Sequence, residues 1–167
     1  MPTTNTRCWT ALSCGRISTA PELKKPGQDE VIGRSKGGLS TKIHATTDAL
    51  GNPTGFLLTP GQASDREGAD ALLPVLEAKP LLADQAYDAD ERGLEPLQQA
   101  GKTAVIPPKR NRVVQRPYDQ ERYKERHLIE NFFCKLKPFR AIATRYDKTA
   151  RNFLAAIYLA STVIWLN

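Results

Sequence analysis

A chain of 167 residues with 40% hydrophobic side chains can bury the core of one domain and is short for two. Its net charge of +6 is segregated: residues 1–100 carry 10 Lys and Arg against 13 Asp and Glu, and residues 101–167 carry 14 against 5, so the first part is −3 and the second +9. Clustered Lys and Arg suit a polyanion, because they release counterions from phosphates, although a basic surface that only aids solubility has the same composition. Cys8, Cys14 and Cys134 are odd in number and form no CxxC pair, which argues against a zinc site or a disulfide framework and for a reducing compartment. No apolar run of signal-peptide type opens the chain. Phe153 to Leu166 is apolar but shorter than the roughly 18 residues of a membrane span, and its Ser161 and Thr162 fit a buried core helix better.

Residues 1–30 show neither helical nor alternating periodicity and end in the polar stretch K-K-P-G-Q-D-E, which predicts a poorly packed leader. Gly33 to Gly38, G-R-S-K-G-G, lacks the G-K-[ST] ending of a phosphate-binding loop. It reads as a turn, or as a place where Arg34 and Lys36 touch a DNA backbone. From Thr41 to Asp48, Ile43, Ala45 and Thr47 alternate with Lys42, His44 and Thr46, the pattern of a half-buried strand with His44 exposed. Gly51-Asn52-Pro53 turns the chain into a second strand over 55–59, forming an antiparallel hairpin. Asp65 caps a helix reaching about Ala78 that Pro74 strains.

Pro80-Leu81-Leu82-Ala83 is a short uninterrupted apolar run, the mark of a buried α/β strand, and Asp84 follows at its carboxyl end, where functional residues of such sheets collect. Asp88 or Asp90 starts a helix carrying Leu94 and Leu97 and ending near Gly101. Thr103 to Ile106 is a further strand. The loop after it holds Lys109, Arg110, Arg112 and Arg116 with no acidic residue, a composition suited to a phosphate track. Arg140, Arg145, Lys148 and Arg151 extend the basic surface.

Between Pro117 and Pro138, neither of which suits a helix interior, Tyr118 to Lys137 reads as one amphipathic helix capped by Asp119. Counting roughly 100° per residue from Tyr123, the side chains of Arg126, Glu130 and Lys137 fall at roughly 300°, 340° and 320°, beside a broad apolar face of Leu128, Ile129, Phe132, Phe133 and Leu136. By itself such a stripe is most simply a solvated face with an Arg126/Glu130 pair.

The order Y-x-x-R-x-x-x-E-x-x-x-x-x-x-K over Tyr123, Arg126, Glu130 and Lys137 resembles the signature helix of bacterial insertion-sequence transposases of the acidic-triad class, in the insertion-sequence-four and insertion-sequence-five groups. The blocks G-R-S-K-G-G-L-S-T-K-I-H, D-A-L-G-N-P, L-A-D-Q-A-Y-D, I-P-P-K-R-N-R, K-L-K and T-R-Y-D are collinear with it. The resemblance implies an α/β fold of ribonuclease-H type, a mixed sheet flanked by helices. It also implies Asp84 and Glu130 as the second and third metal-binding catalytic carboxylates, with Mg²⁺ or Mn²⁺ as cofactor. Tyr123, Arg126 and Lys137, with Lys109, Arg110 and Arg112, would meet DNA. The partners implied are double-stranded DNA, at terminal inverted repeats and target sites, and further copies of the chain, in a bacterial, cytoplasmic, nucleoid-associated setting without a membrane.

Two divalent ions about 3.5–4 Å apart can activate an attacking hydroxyl and neutralise the leaving oxygen of a phosphodiester, and both ions prefer carboxylate oxygens. The family's first catalytic aspartate, in a D-[ST]-T context before the G-R-S-K-G-G segment, has no counterpart here. The first aspartate is Asp29, in an unlike stretch. The expectation is therefore a leader at 1–30 joined to a truncated catalytic domain at 31–167 that lacks its first strand. Three readings follow: a transposase fragment with impaired strand cleavage and transfer, an inactive DNA-binding remnant, or a solitary nuclease.

Overall fold

The computed structural model describes residues 10–19, 31–72, 74, 80–85, 88, 95–99, 101–111 and 115–166. The strands are β1 (Thr10–Thr19), β2 (Gly33–Ser35), β3 (Gly38–Thr47), β4 (Pro53–Pro60), β5 (Pro80–Ala83), β6 (Thr103–Val105) and β7 (Thr144–Arg145). The helices are α1 (Asp65–Leu72), α2 (Glu95–Gln99), α3 (Gln120–Lys124), α4 (His127–Leu136), α5 (Arg140–Ala143) and α6 (Ala150–Leu166). All strands join one seven-stranded mixed sheet of order β2-β3-β1-β5-β6, with β4 also on β3 and β7 also on β1. This is the α/β, ribonuclease-H-like arrangement expected from the sequence.

One expectation is overturned. The sheet does not lack a central strand, because Thr10–Thr19 lies antiparallel to β3 and parallel to β5. Ladder pairing uses backbone N–H and C=O groups that every non-proline residue carries, and T-A-L-S-C-G-R-I-S-T contains no proline. Periodicity misses such a strand because its residues are mostly small or polar and form no apolar run or clear apolar alternation. The rest of the predicted leader, residues 1–9 and 20–30, lies outside the described residues.

The apolar run of β5 is buried from both faces, as expected. Leu82 joins Ile43, Ala45, Phe56, Leu58 and Val105 under Ile129, Phe132 and Leu136 of α4 and Phe153 and Ile157 of α6. Leu81 and Ala83 point the other way, with Ala69 of α1, Leu97 of α2 and Ile106. The hairpin between β3 and β4 also forms, with Gly51 at φ +85° and the Asp48 carboxylate accepting the N–H groups of Leu50 and Asn52. Helix α1 stops at Leu72, ahead of Pro74. Its start is closed by Glu67, which accepts from the Ser64 N–H at 3.0 Å, while Asp65 takes the Lys42 ammonium at 2.7 Å. Gly101, at φ +67°, ends α2 as expected.

Two surface assignments fail because layers close over them. α1 covers the supposedly exposed face of β3, so His44 is fully buried. Its Nε2 shares a hydrogen bond with Thr59 Oγ1 at 2.8 Å, and a Cβ added at Gly68 would come within 2.0 Å of its Nδ1. Arg145, expected on the basic surface, has no exposed area. Conversely, α6 buries only a stripe of Phe153, Ile157, Ala160 and Ser161, leaving Leu159 70% and Leu166 82% exposed. Among the described residues no helix is long and apolar enough to cross a membrane.

Burial pushes the His44 pKa below its ordinary 6.5; the nearby Asp65 charge opposes this, Lys42 adds to it and Glu67 opposes it. The unfolded chain therefore binds this proton more readily, and the stability His44 contributes is complete above about pH 6.5 and lost as the pH falls below it. Thermal melts from pH 7.5 to 5.0 are expected to show a falling Tm that is flatter in His44→Gln. A variant with the unsubstituted profile would assign the dependence elsewhere.

Candidate active site and nucleic-acid interface

β3 fills one edge of β1 from Ala11 to Ser18. The opposite edge is shared by β5, which pairs with residues 10–12, and β7, which pairs with residues 18 and 19. Between them this edge of β1 is open, and a cleft of about 590 Å³ opens there. Gly15, Arg16 and Ile17 of β1 line it, with Asp84 at one end, Ile142 and Ala143 at the other, and Arg126, Glu130, Phe133, Cys134 and Lys137 along the α4 wall.

Asp84 is placed by alternation. Leu82 faces the α4 and α6 core, so the residue two further on projects from the same face of the sheet, just where the strand ends and a polar group can reach water. Glu130 follows from the helical stripe. The predicted single helix is in fact two segments, with hydrogen bonds tightened to three-residue spacing from Glu125 N–H to Arg122 O through Ile129 N–H to Arg126 O. No proline or glycine between 118 and 137 marks this break. Asp119 does cap the first segment, accepting the Arg122 N–H at 2.9 Å.

Arg126 joins the two acids. One guanidinium nitrogen is 3.8 Å from Asp84 Oδ2, and the other donates to Glu130 Oε1. The Tyr123 ring supports it, 5.5 Å from the guanidinium carbon, and is itself held edge-on by Tyr118 at 5.6 Å. Burial raises the Tyr123 phenol pKa, with Arg126 opposing. Tyr123 therefore stands behind Arg126, while Lys137 is on the cleft wall. Asp84, Glu130, Arg126 and Lys137, predicted from the sequence, thus converge.

Lys109 and Arg110 are exposed on the loop after β6, and Arg112 lies outside the described residues. Arg116, expected in the same phosphate track, instead pairs with Asp88 at 2.6 Å. Arg16 was missed because residues 1–30 offered no pattern on which to place it.

The fit to divalent ions can be judged from the donor set. Two carboxylates are present and both face Arg126. The parallel register of β1 and β5 runs from Thr10 beside Leu81 to Leu12 beside Ala83; continued by one residue it sets Ser13 beside Asp84, and no residue of β1 is acidic. Among the described residues no group of three or more His, Cys, Asp and Glu could hold a metal. The residues present therefore do not fit a pair of divalent ions: the cleft holds two carboxylates beside Arg16, Arg126 and Lys137.

Comparison with known proteins gives the family. The family described as the transposase DDE domain matches residues 16–165. A Brucella ovis protein, named as an inferred transposase for insertion sequence element IS6501, is 40% identical over 129 residues, which are 77% of this chain and 99% of that relative. A match over most of the chain, on the fold just described, means that this chain belongs to the DDE transposase family.

Proposed function

We propose that the chain binds double-stranded DNA along the β1 cleft and the basic loop beside it, as a transposase domain of the insertion-sequence-five or insertion-sequence-four type. In this reading its metal-dependent cleavage and transfer at element ends is impaired by the missing first carboxylate. The observation that carries the reading is the convergence of Asp84 and Glu130 on Arg126 at one open strand edge, with Arg16 and Lys137 on the same walls.

Asp84 and Glu130 are then the remaining acids of a set that held Mg²⁺ or Mn²⁺, and Arg126 and Lys137 contact the DNA backbone. With one carboxylate fewer, divalent ions retain uncompensated positive charge, so they bind more weakly. The same deficit favours a product that binds DNA without cutting it. Assembly of several copies on terminal repeats belongs to the same proposal.

Residues 1–30 are proposed as a leader of separate origin joined to family sequence at 31–167. Only the first fifteen residues lie outside the family match, so the match supports a separate origin for residues 1–15 and counts against one for 16–30. Translating the upstream nucleotides in all three frames tests it: a D-[ST]-T strand in another frame is expected, and none in any frame counts against a recent frameshift.

The functional test uses the full chain with supercoiled plasmid in Mg²⁺ and in Mn²⁺, alongside binding of linear duplex across a salt series. Salt-sensitive binding is expected, with a slope of about 0.9 per phosphate neutralised, and little nicking. Any nicking should vanish in Asp84→Asn and Glu130→Gln. Nicking that survives both substitutions would remove these residues from the chemistry, and absence of DNA binding would sink the proposal.

A further inference from the structure

Asp88 is an acid in basic surroundings, and neither the cleft nor the core accounts for it. It is only 3% exposed, and its side chain 1%. Its Oδ2 accepts the backbone N–H of Lys109 at 2.8 Å, and its Oδ1 accepts from Arg116 Nη2 at 2.6 Å. Its own N–H donates to Gln85 O at 3.1 Å. One buried side chain thereby ties the turn that follows Asp84 to both ends of the basic loop after β6.

Topology places these pieces together. β5 and β6 are parallel neighbours, so the Asp84 turn and the basic loop leave the sheet at the same end. Gln115 Nε2 donates to Lys109 O at 3.1 Å, closing the loop on itself. Among its described residues the loop presents two cations to solvent, Lys109 and Arg110, beside the uncharged Asn111 and Gln115. Asparagine at this position would keep one acceptor oxygen and turn an NH2 toward either the Arg116 guanidinium or the Lys109 N–H, a donor facing a donor, which is costly for a side chain this deeply buried.

We propose that Asp88 is a positioning residue for DNA: it clasps the loop so that Lys109 and Arg110 stand ready for phosphates of the strand that enters the Asp84 cleft. This rests on the DNA-binding reading above and extends it. Arg116 is then a strut and not a phosphate contact. An acid aids polyanion binding here because a loop ordered beforehand loses less freedom on association.

The test is fluorescence anisotropy of a labelled duplex with the full chain over a salt series. Simple Coulomb reasoning says that Asp88→Asn, with one negative charge fewer, binds DNA more tightly. The positioning role predicts the reverse: about tenfold weaker binding, with the salt slope shallower by about one to two phosphates at about 0.9 each. In a Lys109→Ala/Arg110→Ala background, Asp88→Asn should change Kd by less than about twofold, because the groups it positions are already gone. Should Asp88→Asn fail to fold, Arg116→Ala in the same two backgrounds tests the same point, since a direct phosphate contact would add its loss in both.

Unchanged or tighter binding by folded Asp88→Asn overturns the inference, as do additive losses or a Lys109→Ala/Arg110→Ala chain that binds normally. All three leave DNA binding by the unsubstituted protein in place. Failure of the underlying reading is a different result, namely no salt-sensitive binding by the unsubstituted protein.

Discussion

Replacing Ser13 with aspartate is expected to raise Mn²⁺-dependent nicking of supercoiled plasmid by about tenfold or more, equivalent to at least about 1.4 kcal/mol at the transition state. The argument is one of register. Thr10, Ala11 and Leu12 lie beside Leu81, Leu82 and Ala83, so position 13 falls beside Asp84. Position 13 also shares a face with Gly15, where an added Cβ would meet the Phe133 ring of α4 at 3.0 Å. That is the side from which Glu130 approaches the cleft.

A carboxylate there would be the third hard-oxygen donor that divalent ions want, and it would give Arg126 a competitor for the two acids it now faces. Calorimetric titration with Mn²⁺ provides a readout separate from cleavage: Ser13→Asp should bind Mn²⁺ more tightly than the unsubstituted chain, and adding Asp84→Asn should abolish the gain. If folded, DNA-binding Ser13→Asp gains neither metal affinity nor nicking, the missing acid of β1 is not what limits this protein.

Arg145→Ala is expected to cost about 3–5 kcal/mol, because three neutral oxygen acceptors lose their donor at about 1–3 kcal/mol for each one left buried and the packing of the side chain is lost, and to lower Tm by roughly 10–15 °C. The guanidinium donates to Thr41 Oγ1 at 2.7 Å, Asp147 O at 2.9 Å and Lys148 O at 2.9 Å. It also stacks 4.9 Å from the centre of the Phe153 ring. Three structural units meet on it: β3, the turn before α6, and β7, whose Arg145 pairs with Thr19 of β1. Thr41 passes the connection on, donating to Val31 O at 2.9 Å.

Arg145→Lys keeps the charge but not the planar fork that reaches several acceptors at once, so it should recover only part of the loss. Because no part of Arg145 reaches solvent, DNA affinity per folded molecule should be unchanged at low temperature. A variant that melts normally yet binds DNA poorly would return Arg145 to the basic surface.

Both expectations rest on elements that the sequence showed to different degrees. The signature stripe was legible because Tyr123, Arg126, Glu130 and Lys137 are close together in the chain and their relation is set by helical geometry alone. Asp84 was legible because an uninterrupted apolar run marks a buried strand and locates its end. The hairpin, the α2 terminus and the Asp119 cap are likewise local, each depending on residues within a few positions.

What the sequence could not show depends on contacts between distant segments. His44 looked exposed because alternation reveals the period of a strand and not whether a helix 24 residues later, at Gly68, closes over its second face. Arg145 looked like a surface cation because the acceptor Thr41 lies 104 residues away. β1 went unseen because ladder bonding is made by the backbone and leaves no side-chain signature. Local chemistry in the sequence thus determined the acids and cations available to this protein. Only the tertiary structure decided which of them meet at the open edge of β1, since burial and partnership arise where separate segments pack.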